Sequence, residues 1–99
     1  MIRHVVMWKF HEGVEVSDFA QDFHAYLEET ALQMPGVKID QFSAYPLPSS
    51  NMDMILVSTF VDESQIELYQ NHPIHKKATA LLEGKVASRS CVDYEINIR

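Results

Sequence analysis

The sequence predicts an α+β fold in which four strands form one antiparallel sheet and helices cover one of its faces. Three observations predict this fold. Segments rich in β-branched and aromatic residues occur near both ends of the chain and twice in its middle, as expected for strands. Segments with apolar residues at helical spacing separate them. Both alternate sets of side chains in the clearest strands are largely apolar, so each face of the sheet needs a cover.

The first two elements are a strand and a helix. Ile2–Phe10 is typical of a strand, and Gly13 interrupts the pattern after it. Ser17 is placed to cap a following helix. The apolar side of that helix is formed by Phe19, Phe23, Tyr26, Leu27, Thr30 and Met34. Pro35-Gly36 is expected to end it.

Two strands and a loop follow in the middle of the chain. Val37–Tyr45 is the second predicted strand, and a change of alternation near Gln41 predicts a β-bulge. Pro46–Asn51 has the composition of a loop. Met52–Val61 is the clearest strand of the sequence.

The last elements are an interrupted helix and a strand. Asp62 or Ser64 is expected to cap the helix, Pro73 divides it, and its second piece ends near Gly84. The predicted last strand alternates Val92, Tyr94, Ile96 and Ile98 with Cys91, Asp93, Glu95 and Asn97. The resulting β-α-β-β-α-β order is the ferredoxin-like arrangement.

The apolar character of both sheet faces predicts a homodimer. In the first strand one set is Ile2, His4, Val6, Trp8 and Phe10, and the other is Arg3, Val5, Met7 and Lys9. Helices on one side cover only one face, and an exposed apolar sheet favours aggregation. A second copy packed sheet against sheet would cover the other face. The alternative is a monomer whose loop folds over the sheet, but Pro46–Asn51 is short and polar.

Composition narrows the class of protein. A chain of 99 residues predicts a single domain over residues 1–99, and 46% apolar residues exclude disorder. The net charge of −6 argues against a nucleic-acid-binding protein. No segment resembles a signal peptide or membrane span, so no membrane partner is expected. The single cysteine, Cys91, fits a reducing compartment and predicts a cytoplasmic location.

The segment "YQNHPIHKK", from Tyr69 to Lys77, admits three interpretations. As a metal site it has only two histidines three residues apart and lacks further ligands, so we expect no metal. As a helix break it places His72 at the N-cap and Pro73 at the first helical position. As a catalytic pair it places His75 in the first turn, where the helix dipole disfavours imidazolium and leaves a neutral base. Tyr69 would then bind the oxyanion.

Other candidates lie on the first strand. His4 is in an apolar set, so it is either a hydrogen-bonded core residue or part of a pocket, and Trp8 shares that set. No Gly-rich phosphate loop, G-x-S-x-G or C-x-x-C motif occurs, so hydrolase, kinase and dinucleotide functions lack support and no cofactor is expected.

Four segments resemble one known family. They are "RHVVMWKF" (Arg3–Phe10), "MPGV" (Met34–Val37), "LVSTFVDESQIELYQNHPIHKK" (Leu56–Lys77) and "VDYE" (Val92–Glu95). They are similar to the stress-responsive dimeric α/β-barrel (Dabb) domain. The resemblance implies a ferredoxin-like protomer and a homodimer whose two sheets form one barrel.

The resemblance also implies candidate site residues. One plant branch of the family is a cofactor-free polyketide cyclase, in which a tyrosine, the second histidine of the motif and a strand-one histidine surround the substrate. Tyr69, His75 and His4 match these residues. The pocket wall of that branch corresponds to Phe23, Tyr26 and Leu27, and we add His72 and Trp8 to the candidate lining. Trp8 stands where the branch has a smaller aliphatic residue, so we expect a smaller pocket than a long polyketide needs.

Two functions follow from the sequence. One is a small dimeric domain that binds a small apolar or aromatic ligand between sheet and helices. The other is a cofactor-free enzyme of the polyketide cyclase or oxygenase kind that uses Tyr69 and His75.

Overall fold

The computed structural model describes residues 1–96, and over these residues one antiparallel sheet forms the centre of the protein. Its strands are β1 (Ile2–Phe10), β2 (Val37–Ser43), β3 (Met54–Phe60) and β4 (Val86–Glu95). They lie in the order β2-β3-β1-β4, and every neighbouring pair is antiparallel. This confirms the predicted ferredoxin-like arrangement.

Helices lie on one face of this sheet. They are α1 (Ala20–Leu32), α2 (Ser64–Gln70) and α3 (Pro73–Ala80). A 3₁₀ turn over Val16–Asp18 precedes α1, and the N-cap of α1 is therefore Phe19, which makes no side-chain cap bond. The prediction that Ser17 caps this helix is wrong, because the extra turn comes between them. None of the helices in residues 1–96 is long and apolar enough to cross a lipid bilayer.

The core lies between the sheet and the helices. β1 and β3 direct one alternate set of side chains into it: His4, Val6, Trp8, Phe10, Met54, Leu56, Ser58 and Phe60. The helices contribute Phe23, Leu27, Tyr69 and Ala78, all with at most 2% of their surface exposed. This one-sided packing is what the period-two pattern of the strands predicts.

The opposite face of the sheet has no cover from residues 1–96, and we call it the outer face. Register places Val5 between Val57 on β3 and Val92 on β4. Val92 and Tyr94 remain 53% and 46% exposed. The outer face is therefore apolar at its centre and open to a partner.

Several element boundaries differ from the sequence prediction. β2 ends at Ser43 rather than Tyr45, and β3 spans Met54–Phe60 rather than Met52–Val61. β4 begins at Val86, well before Cys91, because residues 86–95 pair with the whole length of β1. α3 ends at Ala80 rather than near Gly84. Ile98 and Asn97, which the prediction assigned to the last strand, lie outside the described residues. The predicted bulge in β2 is confirmed by a register shift between Ile39 and Gln41.

The helix break has the predicted geometry. His72 is the N-cap of α3, with extended backbone at φ −63° and ψ 137°. Its Nδ1 accepts a hydrogen bond from the backbone N–H of Ile74 at 3.2 Å. Pro73 is the first residue of α3. His75 consequently occupies the third helical position.

Candidate functional site

A cleft of about 520 Å³ lies between the helix-facing side of β1 and β4 and the helices α1 and α3. Its apolar walls come from Val6, Trp8, Phe23, Leu27, Leu56, Ala80, Leu82 and Val86. Its polar groups come from His4, Gln70, His75, Lys76, Thr79, Glu83 and Arg89. Apolar walls with a few converging polar groups are typical of a small-molecule site, and the volume falls in the usual range of roughly 300–1,000 Å³.

Most of the candidate pocket residues from the sequence line this cleft, namely His4, Trp8, Phe23, Leu27 and His75. Tyr26 and His72 do not line this cleft, and their contact with a ligand stays a prediction. Tyr26 is half-buried on α1, where its carbonyl accepts a hydrogen bond from the Thr30 hydroxyl at 2.7 Å. The His72 imidazole is used as the cap of α3.

Trp8 forms part of the cleft floor. Its ring meets that of Phe23 edge to face, with centroids 5.4 Å apart. Only 6% of its surface is exposed. The Trp8 ring fills space between β1 and α1, and the expectation that its bulk limits the site stays a prediction.

His75 has lost access to water at one of its nitrogens. Its Nδ1 is buried, with no hydrogen-bond partner in the described part of the chain. Burial, and after it the nearby His4, Arg89 and His72, lowers the pKa of His75 to about 4. The imidazole is therefore neutral at physiological pH, although burial rather than the helix dipole is the main cause.

Tyr69 lies behind His75. Its ring is fully buried between Phe60 and His75, with centroid distances of 5.3 Å and 4.6 Å. Burial, with a smaller contribution from Glu28, holds the pKa of Tyr69 well above its usual range. The hydroxyl has no hydrogen-bond partner within residues 1–96, and Tyr69 does not line the cleft. Tyr69 contacts the imidazole, and its role in binding an oxyanion stays a prediction.

His4 is fixed by a carboxylate. Only 2% of its surface is exposed, and its Nδ1 contacts the carboxylate of Asp93 on the neighbouring strand. Register pairs the two residues directly across β1 and β4. A carboxylate at one ring nitrogen fixes the orientation of an imidazole, and Nε2 is the nitrogen that remains for the cleft.

The sequence did not identify the β4 side of the site. Arg89, Cys91 and Asp93 pair with Trp8, Val6 and His4, so their side chains share the helix-facing side of the sheet. Cys91 Sγ lies 3.7 Å from His4 Nδ1 and 3.9 Å from Asp93 Oδ1. Burial raises the pKa of the Cys91 thiol, and Asp93 adds to this, so the thiol is neutral. The alternation of the sequence places Arg89, Cys91 and Asp93 on one face of a strand, but only register with β1 brings this row to His4.

Comparison with known proteins gives the family. The sequence profile of the stress responsive A/B barrel domain (Dabb) matches residues 2–96. The chain belongs to the Dabb family. No curated protein matches this Dabb domain in sequence.

Solved structures share its fold. A dimeric protein of unknown function with a ferredoxin-like fold from Bacteroides fragilis is 26% identical, with a TM-score of 0.75 over 96% of this chain and 95% of that one. A dimeric ferredoxin-like protein of unknown function from Thermobifida fusca is also 26% identical, with a TM-score of 0.79 over 96% and 90%. Hydroxynitrile lyase from Passiflora edulis is 14% identical, with a TM-score of 0.74 over 97% and 93%, which is a likeness of fold alone.

Proposed function

We propose that this Dabb domain forms a homodimer and binds a small apolar or aromatic ligand in the cleft between sheet and helices. The observation that carries the binding function is the cleft itself, in which apolar walls lead to a polar end. His4, His75 and Arg89 supply the polar groups that would orient a ligand there.

The outer face supports the homodimer. Its central side chains, among them Val5, Val57 and Val92, have no partner within the described residues. The two relatives at 26% identity are described as dimeric. A stable pair is expected to bury at least ~800 Å² of each protomer. Because the cleft opens on the opposite side of the sheet, dimer formation leaves it accessible.

The polar end of the cleft defines the ligand more closely. Arg89 has no ion-pair partner within residues 1–96, and Lys76 adds a second cation to the lining. Because His75 is neutral, it does not repel these two cations and can form a hydrogen bond with the ligand. We therefore expect a ligand with an apolar ring and an oxygen, such as a phenol or carboxylate, at one end.

Nuclear magnetic resonance tests this function directly. Trp8 is the only tryptophan, so its indole N–H gives one resonance that reports on the cleft floor. Titration with 2-naphthol or 2-naphthoate is expected to shift this resonance at lower concentrations than naphthalene does. Shifts that spread over the surface without involving Trp8 would contradict the proposed site.

Two alanines provide matched variants for this titration. Ala80 on α3 lines the cleft, whereas Ala25 on α1 is exposed and does not. Ala80→Phe is expected to fill the cleft and abolish the Trp8 shift, and Ala25→Phe is expected to leave it unchanged. Equal responses of the two variants would place the ligand elsewhere.

A neutral histidine in the cleft wall supports a second candidate function, a cofactor-free enzyme. An imidazole with its pKa held low by burial is a base that is ready at neutral pH. In this candidate His75 removes a proton from a carbon or phenolic acid, and the guanidinium of Arg89 in the same lining donates hydrogen bonds to the oxyanion that forms. His4, held by Asp93, contacts the ligand through Nε2. Tyr69 contacts His75 from behind and would position its ring.

Turnover of a β-polyketone or a phenol tests the enzyme candidate. His75→Gln is expected to lower the rate by roughly 10²–10⁴-fold, the usual contribution of one acid–base group. His11→Gln is the matched control, since His11 is exposed and lies outside the cleft. Binding without turnover by the unaltered protein would leave the ligand-binding function and reject the enzyme.

A further inference from the structure

The geometry points to a site for one zinc ion formed by His4, Cys91 and Asp93. These residues lie on neighbouring strands at the β4 edge of the cleft, and we infer that they bind Zn²⁺ through one imidazole nitrogen, one thiolate and one carboxylate oxygen. The ion would have three protein ligands and a fourth position for water, which is the arrangement of open zinc sites.

The distances between ligand atoms carry this inference. The three atoms, Nδ1 of His4, Sγ of Cys91 and Oδ1 of Asp93, converge on one region of space. In a tetrahedral zinc site with bonds of about 2.0–2.3 Å, ligand atoms lie roughly 3.3–3.8 Å apart. The sulfur lies 3.7 Å from the nitrogen, within this range, and 3.9 Å from the oxygen, just beyond it, so these two separations need little change.

The third separation, between His4 Nδ1 and the Asp93 carboxylate, must increase when zinc binds. His4 and Asp93 are in direct hydrogen-bond contact, closer than two zinc ligands would be. The Asp93 side chain is 40% exposed, so it can rotate outward without disturbing the core. Zinc binding then requires the single proton of the neutral His4 ring to lie on Nε2, so that Nδ1 is free to bind the ion, and the Cys91 thiol proton is released to solvent.

The same geometry argues against a Cys-His-Asp catalytic triad. In a triad the nucleophile and the carboxylate use different nitrogens of the imidazole ring. Here the thiol and the carboxylate both approach Nδ1 of His4. Three potential ligand atoms that approach one another in this way are arranged as they would be around a metal ion.

The donor set selects the class of metal. Magnesium and calcium prefer oxygen ligands only, whereas nitrogen with thiolate and carboxylate suits zinc. Cys91 and Asp93 are exposed on the edge strand, which gives the ion a path to the site. Arg89 lies two residues before Cys91 on the same face of β4 and opposes a cation, but the two negative ligands outweigh its single charge.

Titration with zinc and with cobalt as its spectroscopic substitute tests the site. The reduced protein is expected to bind one Zn²⁺ per chain by calorimetry, and Co²⁺ is expected to give a thiolate charge-transfer absorption. Cys91→Ala and Asp93→Ala should each weaken binding by more than the about 10–100-fold that loss of an outer partner costs. Both residues are exposed, and circular dichroism checks that the variants are folded.

Two further variants separate a built site from casual binding. Arg89→Gln removes the opposing cation, so it is expected to tighten zinc binding, a gain that misfolding cannot produce. His24→Ala removes another imidazole–carboxylate pair, with Glu28 at 3.2 Å on α1, and is expected to change nothing. Equal zinc affinity of the unaltered protein and Cys91→Ala, or absence of the cobalt–thiolate absorption, would overturn the proposal.

Discussion

His75 makes the stability of this protein depend on pH. The imidazole has a pKa near 6.5 in the unfolded chain and about 4 in the folded one. Between these values the unfolded state binds more protons, so the free energy of unfolding rises with pH in this window. The contribution of His75 is fully present above the unfolded pKa and is lost as pH falls through about 6.5 toward 4.

The variant His75→Gln isolates this contribution. Urea denaturation of the unaltered protein should show a decrease in the free energy of unfolding, of at most about 3 kcal/mol, between pH 7 and pH 4. His75→Gln should show a smaller decrease over the same range. If the free energy of unfolding of the two proteins depends on pH in the same way, the folded protein accommodates the imidazolium. Burial would then not lower the pKa of His75, and the enzyme candidate would lose its neutral base.

Tyr69 gives a second test at the level of single atoms. A buried hydroxyl without a partner costs stability, so Tyr69→Phe is expected to leave the free energy of unfolding unchanged or raise it by up to about 1 kcal/mol. Thr30→Val is the matched control, because the fully buried Thr30 hydroxyl donates to the Tyr26 carbonyl. That variant should lose about 1 kcal/mol. A clear loss in Tyr69→Phe would show that its hydroxyl is hydrogen-bonded in solution.

At the residue scale, the sequence predicted the β1 and α3 side of the candidate site but not its β4 side. His4, Trp8 and His75 stood out because a histidine or tryptophan in an apolar pattern is conspicuous. Cys91 and Asp93 did not, because nothing local marks a polar residue on an edge strand as part of a site. They belong to the site because strand register places them next to His4, which is 87 and 89 residues away in the sequence. The alternation of residues along one strand cannot predict such a long-range contact.

At the scale of elements, residue propensities predicted the boundaries of those strands and helices whose ends do not depend on tertiary contacts. The strand Ile2–Phe10 has its predicted bounds, and the His72-Pro73 break has its predicted cap, because both follow from residue chemistry near the element. β4 was predicted too short, since Ala87 to Ser90 have little intrinsic strand preference and are held by pairing with β1.

Two glycines allow the conformational and steric parts of a turn to be measured separately. Gly13 and Gly36 have φ of +87° and +88°, so alanine is strained at both, by roughly 1–2 kcal/mol. A Cβ at Gly13 meets nothing within 4 Å, whereas one at Gly36 would lie 2.8 Å from Val61 Cγ2 and 2.9 Å from the Gln65 amide. Gly36→Ala is therefore expected to cost at least about 1 kcal/mol more than Gly13→Ala in thermal or urea unfolding.

Equal losses in the two variants would contradict this contact. The Gln65 amide donates to the Pro35 carbonyl at 2.6 Å and ties the end of α1 to the start of α2. A larger loss in Gly36→Ala thus reports on the junction between these helices, and not on the glycine alone.

At the scale of the whole molecule, the two faces of one sheet have different uses. The helix-facing side holds the core, the cleft and the proposed zinc ligands, and the outer face is the surface that we propose for a second copy. The sequence predicted this division from alternation alone, because apolar residues on both faces are incompatible with a single layer of helices. It did not predict where the cleft opens, which depends on the helix layer leaving β4 exposed.

Substitutions on the two faces should therefore have different consequences. Val57 lies on the outer face and Val6 is 1% exposed in the core. A carboxylate at Val57 is unfavourable only when a partner buries it, so Val57→Asp is expected to give a folded monomer by light scattering at micromolar concentration. Val6→Asp buries an unpaired charge within the protomer and is expected to unfold it.

Leu32→Asp, at an apolar position on α1 that is 86% exposed, controls for added charge and should remain a dimer. A monomeric unaltered protein, or a dimeric Val57→Asp as stable as the parent, would show that the outer face is not the interface.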